Sequence, residues 1–258
     1  MPFTTIPEFA VLLMDQLDQP TVSEQSGQRY LHFDSPWIQG AMSLKRPDKL
    51  VLSYTEQMMA WLLFLTPDPD RVIGQLGLGA GSLTRFCFKH LKNPLAVIER
   101  NPAVTRVCEQ FFRLPVHERL VVVHEDAQRW VLDPVNVNSL AVLMVDLYDA
   151  EAAGPVCDSL AFYRGCARVL EAPGVLSVNL FGHHDSYQRN IDRLAQAFGG
   201  RLLLLPPVEE GNQIVLAFKG PEISASFEQL QARADWLTQQ MRLPAKRWVK
   251  SIGPLTRL

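Results

Sequence analysis

The sequence predicts an α/β protein: a mostly parallel, helix-covered sheet with an antiparallel last strand, preceded by a small antiparallel β-sheet. From residue 71 onward, continuous apolar runs alternate with helix-like segments, which is typical of a parallel sheet buried on both faces. Between residues 21 and 53, short β-type runs are separated by turn signals. After residue 200, two apolar runs are joined by a loop alone, which favours a final antiparallel hairpin at the sheet edge.

The N-terminal part is predicted to be a separate small unit. Residues 6–17 have the spacing of a short amphipathic helix, and four β-type runs follow up to residue 54. Residues 54–65 then show helical periodicity and stop before Pro67. We therefore assign residues 1–55 to an N-terminal helix with a small antiparallel sheet, and residues 56–258 to the larger α/β domain.

The larger domain is predicted to contain five parallel strands before the hairpin. The apolar runs that predict them are residues 71–76, 94–99, 119–123, 140–146 and 174–180. One intervening helix begins at Asn101 as cap with Pro102 in its first turn, and another continues to Pro173-Gly174. A last helix is expected at about residues 224–240, followed by a basic tail that we expect to be solvated, with contact to a polyanion as the alternative.

Composition excludes several classes of function. With 258 residues, 47% of them hydrophobic, the chain can bury a sizeable core, and its net charge of −2 offers no basic field for nucleic acid. The four cysteines lack CxxC spacing, so we expect reduced, mostly buried thiols and no metal site. Neither a targeting segment nor a membrane-spanning run is predicted, and we expect a cytoplasmic protein.

A glycine-rich turn follows the first parallel strand. Gly77, Gly79 and Gly81 stand between this strand and a helix-like segment, where glycine allows positive φ and the helix N-terminus favours an anion or nucleotide. Dinucleotide-binding folds have their third glycine where this chain has Ser82, and the lysine of a phosphate-binding loop is missing. The turn instead resembles motif I of S-adenosylmethionine-dependent enzymes with a seven-stranded, Rossmann-like methyltransferase-type sheet.

Three acids end the following strands. Glu99 lies about twenty residues after the turn, where a carboxylate can accept hydrogen bonds from both ribose hydroxyls. Asp126, followed by Ala127, is placed to bind the adenine amino group, and Asp146 ends the fourth strand. Such sheets bind ligands at the carboxyl ends of their strands, so the three acids together with the glycines predict a nucleoside site. For each acid alone, a helix cap or a solvated turn is the competing interpretation.

Seven segments in this order resemble the spermidine synthase family of aminopropyltransferases, and the resemblance covers nearly the whole chain. The family motifs D-G-x-x-Q, Y-H-E-x-x, G-G-G-D-G-G, V-E-I-D-P, D-A, D-x-x-D-P-x-G-P and F-Y-x-x-C-x-x-x-L-x-P-G-G-V-L are similar to residues 34–39, 54–58, 77–82, 97–102, 126–127, 146–155 and 162–176. The resemblance implies a small N-terminal sheet before a Rossmann-like domain, and often a homodimer.

The resemblance also implies a chemistry and residue roles. The family transfers an aminopropyl group from decarboxylated S-adenosylmethionine when an amine attacks the carbon next to the sulfonium. Asp146 would be the base or amine anchor, Asp149 a second amine contact and Tyr54 a positioning hydroxyl. Gln39 would contact the methionine-derived tail of the co-substrate, while Gly77, Gly79, Gly81, Glu99, Asp126 and Ala127 would bind the nucleoside. The partner is thus a small amine such as a polyamine, and neither a metal, nucleic acid nor membrane is implied.

The sequence departs from the family at three places. Ala80 replaces the aspartate that holds the ammonium of the aminopropyl chain, and an unpaired buried charge is costly. Thr55 replaces a histidine, and the loop after Asp149 is longer, with Ala-Glu-Ala-Ala inserted before Gly154. We therefore expect a transferase that binds S-adenosylmethionine, its decarboxylated form or methylthioadenosine and transfers an aminopropyl or other alkyl group to an amine. The alternatives are a methyltransferase that uses S-adenosylmethionine and a non-catalytic nucleoside-binding relative. The turn Glu209-Glu210-Gly211-Asn212 is expected to be solvated, with attraction of a polyamine as the alternative.

Overall fold

A computed structural model of the chain describes residues 17–33, 37–148 and 156–252. Asp149, the first half of the motif at residues 34–39 and all but the last residue of the helix predicted at residues 6–17 therefore lie outside the described residues. Three strands form the small antiparallel sheet: β1 (Pro20–Gln25), β2 (Gln28–Phe33) and β3 (Gly40–Ser43). The fourth predicted run, residues 49–54, is not a strand, because the backbone N–H groups of Thr55 and Glu56 bond to the Leu52 carbonyl and begin a helix there.

Seven strands form the main sheet, as predicted. They are β4 (Ile73–Leu76), β5 (Leu95–Ile98), β6 (Leu120–Val123), β7 (Leu140–Val145), β8 (Leu170–Phe181), β9 (Leu202–Leu204) and β10 (Asn212–Lys219). Their order across the sheet is β6-β5-β4-β7-β8-β10-β9, and the first five strands in this order are parallel to one another. β10 is antiparallel to both β8 and β9. The predicted fold class is therefore confirmed, but the antiparallel strand lies inside the sheet and β9 forms its edge.

Eight α-helices are described. They are α1 (Ser53–Met58), α2 (Ser82–His90), α3 (Pro102–Phe111), α4 (Ala127–Leu132), α5 (Leu160–Val169), α6 (Tyr187–Phe198), α7 (Phe227–Met241) and α8 (Ala245–Ile252), with 3-10 turns at Met59–Leu63 and Pro134–Asn136. None of them has the length and apolar character needed to cross a membrane.

The structure differs from the sequence prediction at one helix end and in the basic tail. The helix that was expected to reach Pro173 ends at Val169, because Leu170 already pairs with Leu140 of β7. In the basic tail, the structure shows α8, whose Trp248 and Val249 are buried against the rest of the domain. Their helical spacing with Ala245 was the signal for this helix.

The packing brings the small sheet against the glycine-rich turn. A Cβ atom added to Gly40 of β3 would lie 2.6 Å from the Cβ of Ala80, so only glycine fits at this crossing. The Ser82 hydroxyl at the start of α2 donates to the Ala41 carbonyl at 2.9 Å. Leu31, Met42 and Ala80 belong to one buried apolar cluster with β5 and α3. The small sheet thus covers one side of the turn, while the assignment of residues 1–55 and 56–258 to two domains stays a prediction.

Candidate active site

A cavity of about 650 Å³ opens at the carboxyl edge of the parallel strands. Its size lies within the usual range for small-molecule sites. Most of the described residues that the sequence predicts for the site line it: Gln39, Tyr54, Gly77, Gly79, Glu99, Asp126, Ala127 and Asp146. Gly81 is described but does not line it. Parallel strands explain the convergence, because β4 to β7 all end at this edge.

The glycine turn passes very close to the end of β7. Gly77 has φ +85°, and a Cβ atom there would lie 2.4 Å from the Asp146 carbonyl oxygen. Gly79 has φ +52°, and a Cβ atom there would lie 3.3 Å from the Gln39 carbonyl oxygen. Gly81, at φ +69°, is the cap residue of α2 and faces Arg85 and Leu114. Gly77 and Gly79 therefore let the turn pass close to Asp146 and Gln39 at the cavity, whereas Gly81 shapes the start of α2.

Glu99 is held by backbone at the end of β5. Its two carboxylate oxygens accept hydrogen bonds from the backbone N–H groups of Leu78 at 2.9 Å and Asn101 at 2.7 Å. Burial raises the pKa of this carboxyl above its ordinary value, although both hydrogen bonds act to lower it. Each oxygen retains a second acceptor position, so a pair of ribose hydroxyls can bind to a carboxylate that is already oriented.

Asp126 has both properties that the sequence left as alternatives. Its Oδ1 accepts from the Arg129 backbone N–H at 2.9 Å, so it caps α4, and it also lines the cavity. Capping occupies one of the acceptor positions of the carboxylate and leaves others for a ligand. Ala127 follows as the first residue of α4 and is buried at the cavity wall.

The Asp146 carboxylate is held by two side chains. Its Oδ2 accepts from the Tyr54 hydroxyl at 3.3 Å, and its Oδ1 accepts from the Asn179 amide at 2.9 Å. Burial raises the pKa of Asp146, and the hydrogen bonds from Asn179 and Tyr54 partly oppose that rise. Burial and the neighbouring Asp146 charge also raise the pKa of Tyr54, which therefore keeps its proton and acts as a donor.

Three polar residues around Asp146 were missed by the sequence analysis. The Asn212 amide donates to Asn179 Oδ1 at 3.0 Å, which extends the chain of hydrogen bonds to Asp146. The Tyr148 hydroxyl donates to the Asn179 carbonyl at 3.2 Å, and burial raises the pKa of this tyrosine. Asn179 gave the only signal in the sequence, as an amide inside the apolar run of β8. Buried polar groups of this kind require partners.

The cavity carries a strong excess of negative charge. Among the described residues that line it, six are carboxylic acids and one, Arg100, is cationic. The acids are Asp18, Glu99, Glu125, Asp126, Asp146 and Glu210. Low-dielectric walls focus such a field, so the cavity favours cationic ligands over anionic ones. Among the described residues, no group of three or more His, Cys, Asp or Glu side chains is arranged to hold a metal ion.

Comparison with known proteins shows the family to which the chain belongs. No family model matches the chain. A polyamine aminopropyltransferase from Neisseria meningitidis serogroup A is 32% identical over 233 residues, which is 90% of this chain and 88% of that protein. The enzyme of the same name from Chromobacterium violaceum is 33% identical over 226 residues, 87% of this chain and 85% of that one. The chain belongs to the polyamine aminopropyltransferase family. It is therefore a member of a transferase family.

Solved structures at lower sequence identity have the same fold as this chain. A probable spermidine synthase from Corynebacterium glutamicum superposes with a TM-score of 0.68 at 16% identity and covers 92% of both chains. A spermidine synthase in complex with the transition-state analogue AdoDATO gives 0.56 at 19% identity, covering 78% of this chain and 74% of that one. Human methyltransferase-like protein 13, in complex with SAH, gives 0.65 at 21% identity, covering 75% and 94%.

Ala80 is the main departure from the aminopropyltransferase motifs, and the structure shows its surroundings. The residue is 2% exposed, packs against Gly40, and contributes no polar atom to the cavity. Its carbonyl accepts from the buried Arg85, which also donates to the Pro47 carbonyl at 2.8 Å and so ties the turn to the segment that follows β3. Thr55, the second departure, is buried and donates to the Leu52 carbonyl at 2.6 Å. Both residues have structural roles here.

Proposed function

We propose that this protein transfers an aminopropyl group from decarboxylated S-adenosylmethionine to a small amine such as a polyamine. The observation that carries the proposal is the buried Asp146 carboxylate, held by Tyr54 and Asn179 at one end of a cavity with an excess of acids. A cationic amine and a sulfonium are the ligands that such a cavity favours. The curated relatives carry the corresponding name.

The donor nucleoside would extend along the edge of β4 to β6. In this proposal Glu99 accepts from the ribose hydroxyls, and Asp126 with Ala127 contacts the adenine ring. Gly77 and Gly79 let the sulfonium tail pass close to the backbone, with Gln39 on its other side. Support comes from the presence of all these residues in the lining of one cavity and from the backbone hydrogen bonds that fix Glu99.

The reaction itself places few demands on the protein. The lone pair of the amine nitrogen attacks the methylene carbon next to the sulfonium, a C–N bond forms, and the C–S bond breaks with its electron pair going to sulfur. Methylthioadenosine leaves, and the nitrogen loses a proton. Alignment of the two reactants and removal of the proton are the tasks left for the site. Asp146 would accept that proton or anchor the amine, and Tyr54 would orient the carboxylate. Asp149, which lies outside the described residues, would be a second amine contact.

The raised pKa of Asp146 suits this role. A base is most effective when its pKa lies near the working pH, and burial moves the pKa of this carboxyl in that direction. The negative cavity also favours the decarboxylated donor, because S-adenosylmethionine carries an additional carboxylate that the six acids would repel, with Arg100 as the one opposing charge among the described lining residues.

A methyltransferase reaction is the second candidate. The observation that favours it is Ala80, since the cavity lacks at this position the carboxylate that pairs with the aminopropyl ammonium in the family. S-adenosylmethionine would then be the donor and methyl the group transferred. A non-catalytic nucleoside-binding role is the third possibility, favoured by the same substitution.

Turnover with each donor separates these functions. We expect methylthioadenosine to form from decarboxylated S-adenosylmethionine and a diamine, with no S-adenosylhomocysteine formed from S-adenosylmethionine. Asp146→Asn should lower kcat by about 10²- to 10⁴-fold, the usual contribution of a positioned acid or base. The exposed Asp70→Asn is the matched control and should retain wild-type activity. Methyl transfer, or nucleoside binding without any turnover, would contradict the proposal.

Assembly and location belong to the same proposal at a finer level. We expect a homodimer in the cytoplasm with no nucleic-acid partner, as the sequence analysis anticipates. Light scattering on the purified protein and fractionation of cells test the first two expectations.

A further inference from the structure

A buried arginine lies next to the glycine-rich turn but outside the cavity. Arg85 is one of the first four residues of α2, is 4% exposed, and does not line the cavity. Among the described residues it belongs to no ion pair, and its Nη2 group has no hydrogen-bond partner. A buried charge without a carboxylate is costly, and a cation near a helix N-terminus opposes the helix dipole. The other contacts of the guanidinium must offset these costs.

The guanidinium joins three separate segments through their backbone carbonyl groups. Its Nε donates to the Pro47 carbonyl, after β3, at 2.8 Å, and its Nη1 donates to the Phe112 carbonyl, at the end of α3, at 2.9 Å. Nη1 also donates to the Ala80 carbonyl in the turn. A Cβ atom on Gly81 would lie 3.1 Å from Nη1, so glycine leaves room for the guanidinium there. Because hydrogen bonds from a charged donor are the stronger kind, Arg85 clamps the turn to both neighbouring segments.

The position of the turn in turn affects the Glu99 carboxylate. The three glycines of the turn all have positive φ, and glycine has more backbone freedom than any other residue, so the turn needs contacts that hold it. The Gly81 N–H donates to the Leu78 carbonyl at 2.9 Å, and the Leu78 N–H donates to Glu99 Oε2 at 2.9 Å. Hydrogen bonds therefore connect the residue after Ala80 with the carboxylate at the end of β5.

We propose that Arg85 is a positioning residue for the donor nucleoside, because its clamp on the Ala80 carbonyl fixes the glycine-rich turn and thereby the Glu99 carboxylate. The inference rests on the proposed function, since it takes Glu99 as the acceptor for the ribose hydroxyls. A nucleoside that binds beside a loose turn must first order it, and this entropy cost weakens binding. Arg85 lowers that cost without touching the nucleoside.

The amine end of the cavity provides an internal reference for this effect. Asp146 is held by Tyr54 and Asn179, and the hydrogen bonds of Arg85 go to other segments. Loss of the clamp should therefore weaken donor binding and leave the amine end unchanged. A residue that only stabilised the fold would affect both ends alike.

Two substitutions of Arg85 test the clamp. Arg85→Met removes it, and Arg85→Lys is a second variant that keeps the charge on a compact ammonium, without the planar fork that reaches three carbonyls. By calorimetry, the Kd of methylthioadenosine should rise by about two- to thirtyfold in Arg85→Lys, the usual range for a residue that acts on a site without touching the ligand. Arg85→Met should raise it further. In turnover, the KM for decarboxylated S-adenosylmethionine should rise, whereas kcat and the KM for 1,4-diaminobutane should not change.

Arg119→Lys is the matched control. Arg119 also donates to three backbone carbonyls, those of Leu91 and Phe88 at 3.1 Å and that of Asn93 at 3.3 Å. It lies outside the cavity, at the end of β5 opposite to Glu99. Arg119→Lys should lower the Tm, as Arg85→Lys does, and leave the Kd of methylthioadenosine at the wild-type value.

The outcomes separate the clamp from the proposed function. An unchanged Kd in a folded Arg85→Lys protein, an equal rise in Arg119→Lys, or equal losses at both ends of the cavity would overturn the clamp and leave the proposed function intact. Failure of both Arg85 variants to fold would make Arg85 a residue of the fold alone and overturn the assignment as well. If the wild-type protein bound no methylthioadenosine, the proposed function would fail, and the clamp with it.

Discussion

The two ends of the cavity are constructed in different ways. At the donor end, Glu99 and Asp126 are held by backbone N–H groups only a few residues away or in the adjacent turn. At the amine end, Asp146 is held by side chains from α1 and β8, and Asn179 in turn by a side chain from β10. The position of an acid that is held by backbone is set by where strands and helices begin and end. Acids held by side chains depend on how distant parts of the chain pack.

This difference has a functional consequence. A nucleoside is a constant part of the proposed donor, and a site fixed by backbone suits it because few substitutions alter it. The amine end is held by side chains, so a single substitution there can alter it without changing the backbone contacts at the donor end. Variants at the two ends should therefore separate donor binding from amine turnover.

The largest effect on nucleoside binding is expected from Glu99→Gln at the donor end. The variant loses the charge that strengthens hydrogen bonds from ribose, and its amide NH₂ must face the N–H group of either Leu78 or Asn101. Hydrogen bonds to charged groups contribute about 1.5–3 kcal/mol, so the Kd of methylthioadenosine should rise by about 10- to 150-fold. Isothermal calorimetry measures it.

Glu118→Gln is the control for this variant, because Glu118 is exposed and lies outside the cavity. Thermal unfolding of both variants checks that the glycine turn is still folded. An unchanged Kd in a folded Glu99→Gln protein would show that the ribose does not bind at Glu99.

A smaller effect, on pH dependence, is expected from Asn179→Leu at the amine end. Burial raises the pKa of Asp146, and the Asn179 hydrogen bond lowers it, so loss of this bond should raise the pKa further. Because the ionised carboxylate is the active form, the acid limb of kcat/KM should move to higher pH. One hydrogen bond of about 0.5–1.5 kcal/mol corresponds to roughly 0.4–1 pH unit.

Asn212→Leu extends this experiment by one step. Its amide contacts Asn179 and not Asp146, so the acid limb should move in the same direction by less. A uniform loss of activity at every pH would indicate a purely structural role for the two amides. A shift to lower pH would contradict the assignment of Asp146 as the titrating group.

The contrast between the two ends also explains what the sequence could predict. Strand-end acids and glycines follow local patterns, and parallel strands bring their carboxyl ends to one edge, so Glu99, Asp126 and Asp146 could be placed in one site in advance. Asn212 contacts Asn179 only because β10 inserts between β8 and β9 with Asn212 opposite Phe181. No local pattern specifies that register. The same holds for Glu210, which lines the cavity and accepts a hydrogen bond from the Ser53 hydroxyl, a contact that no local pattern in its turn specifies.

Asp126→Asn is expected to have the smallest effect and gives the sharpest separation of two roles for one residue. Asparagine caps helices about as well as aspartate, so the Tm should not change. If the carboxylate also accepts from the adenine amino group, the Kd of methylthioadenosine should rise by about two- to tenfold, which corresponds to one ordinary hydrogen bond. A nucleoside analogue that lacks the amino group should bind both proteins equally.

Asp133→Asn is the matched control, since Asp133 also caps a helical turn, accepting from the Val135 N–H at 3.0 Å, but lies outside the cavity. Equal affinities in all three proteins would leave Asp126 with its cap alone, and the adenine would then have to be recognised by the wall around Ala127.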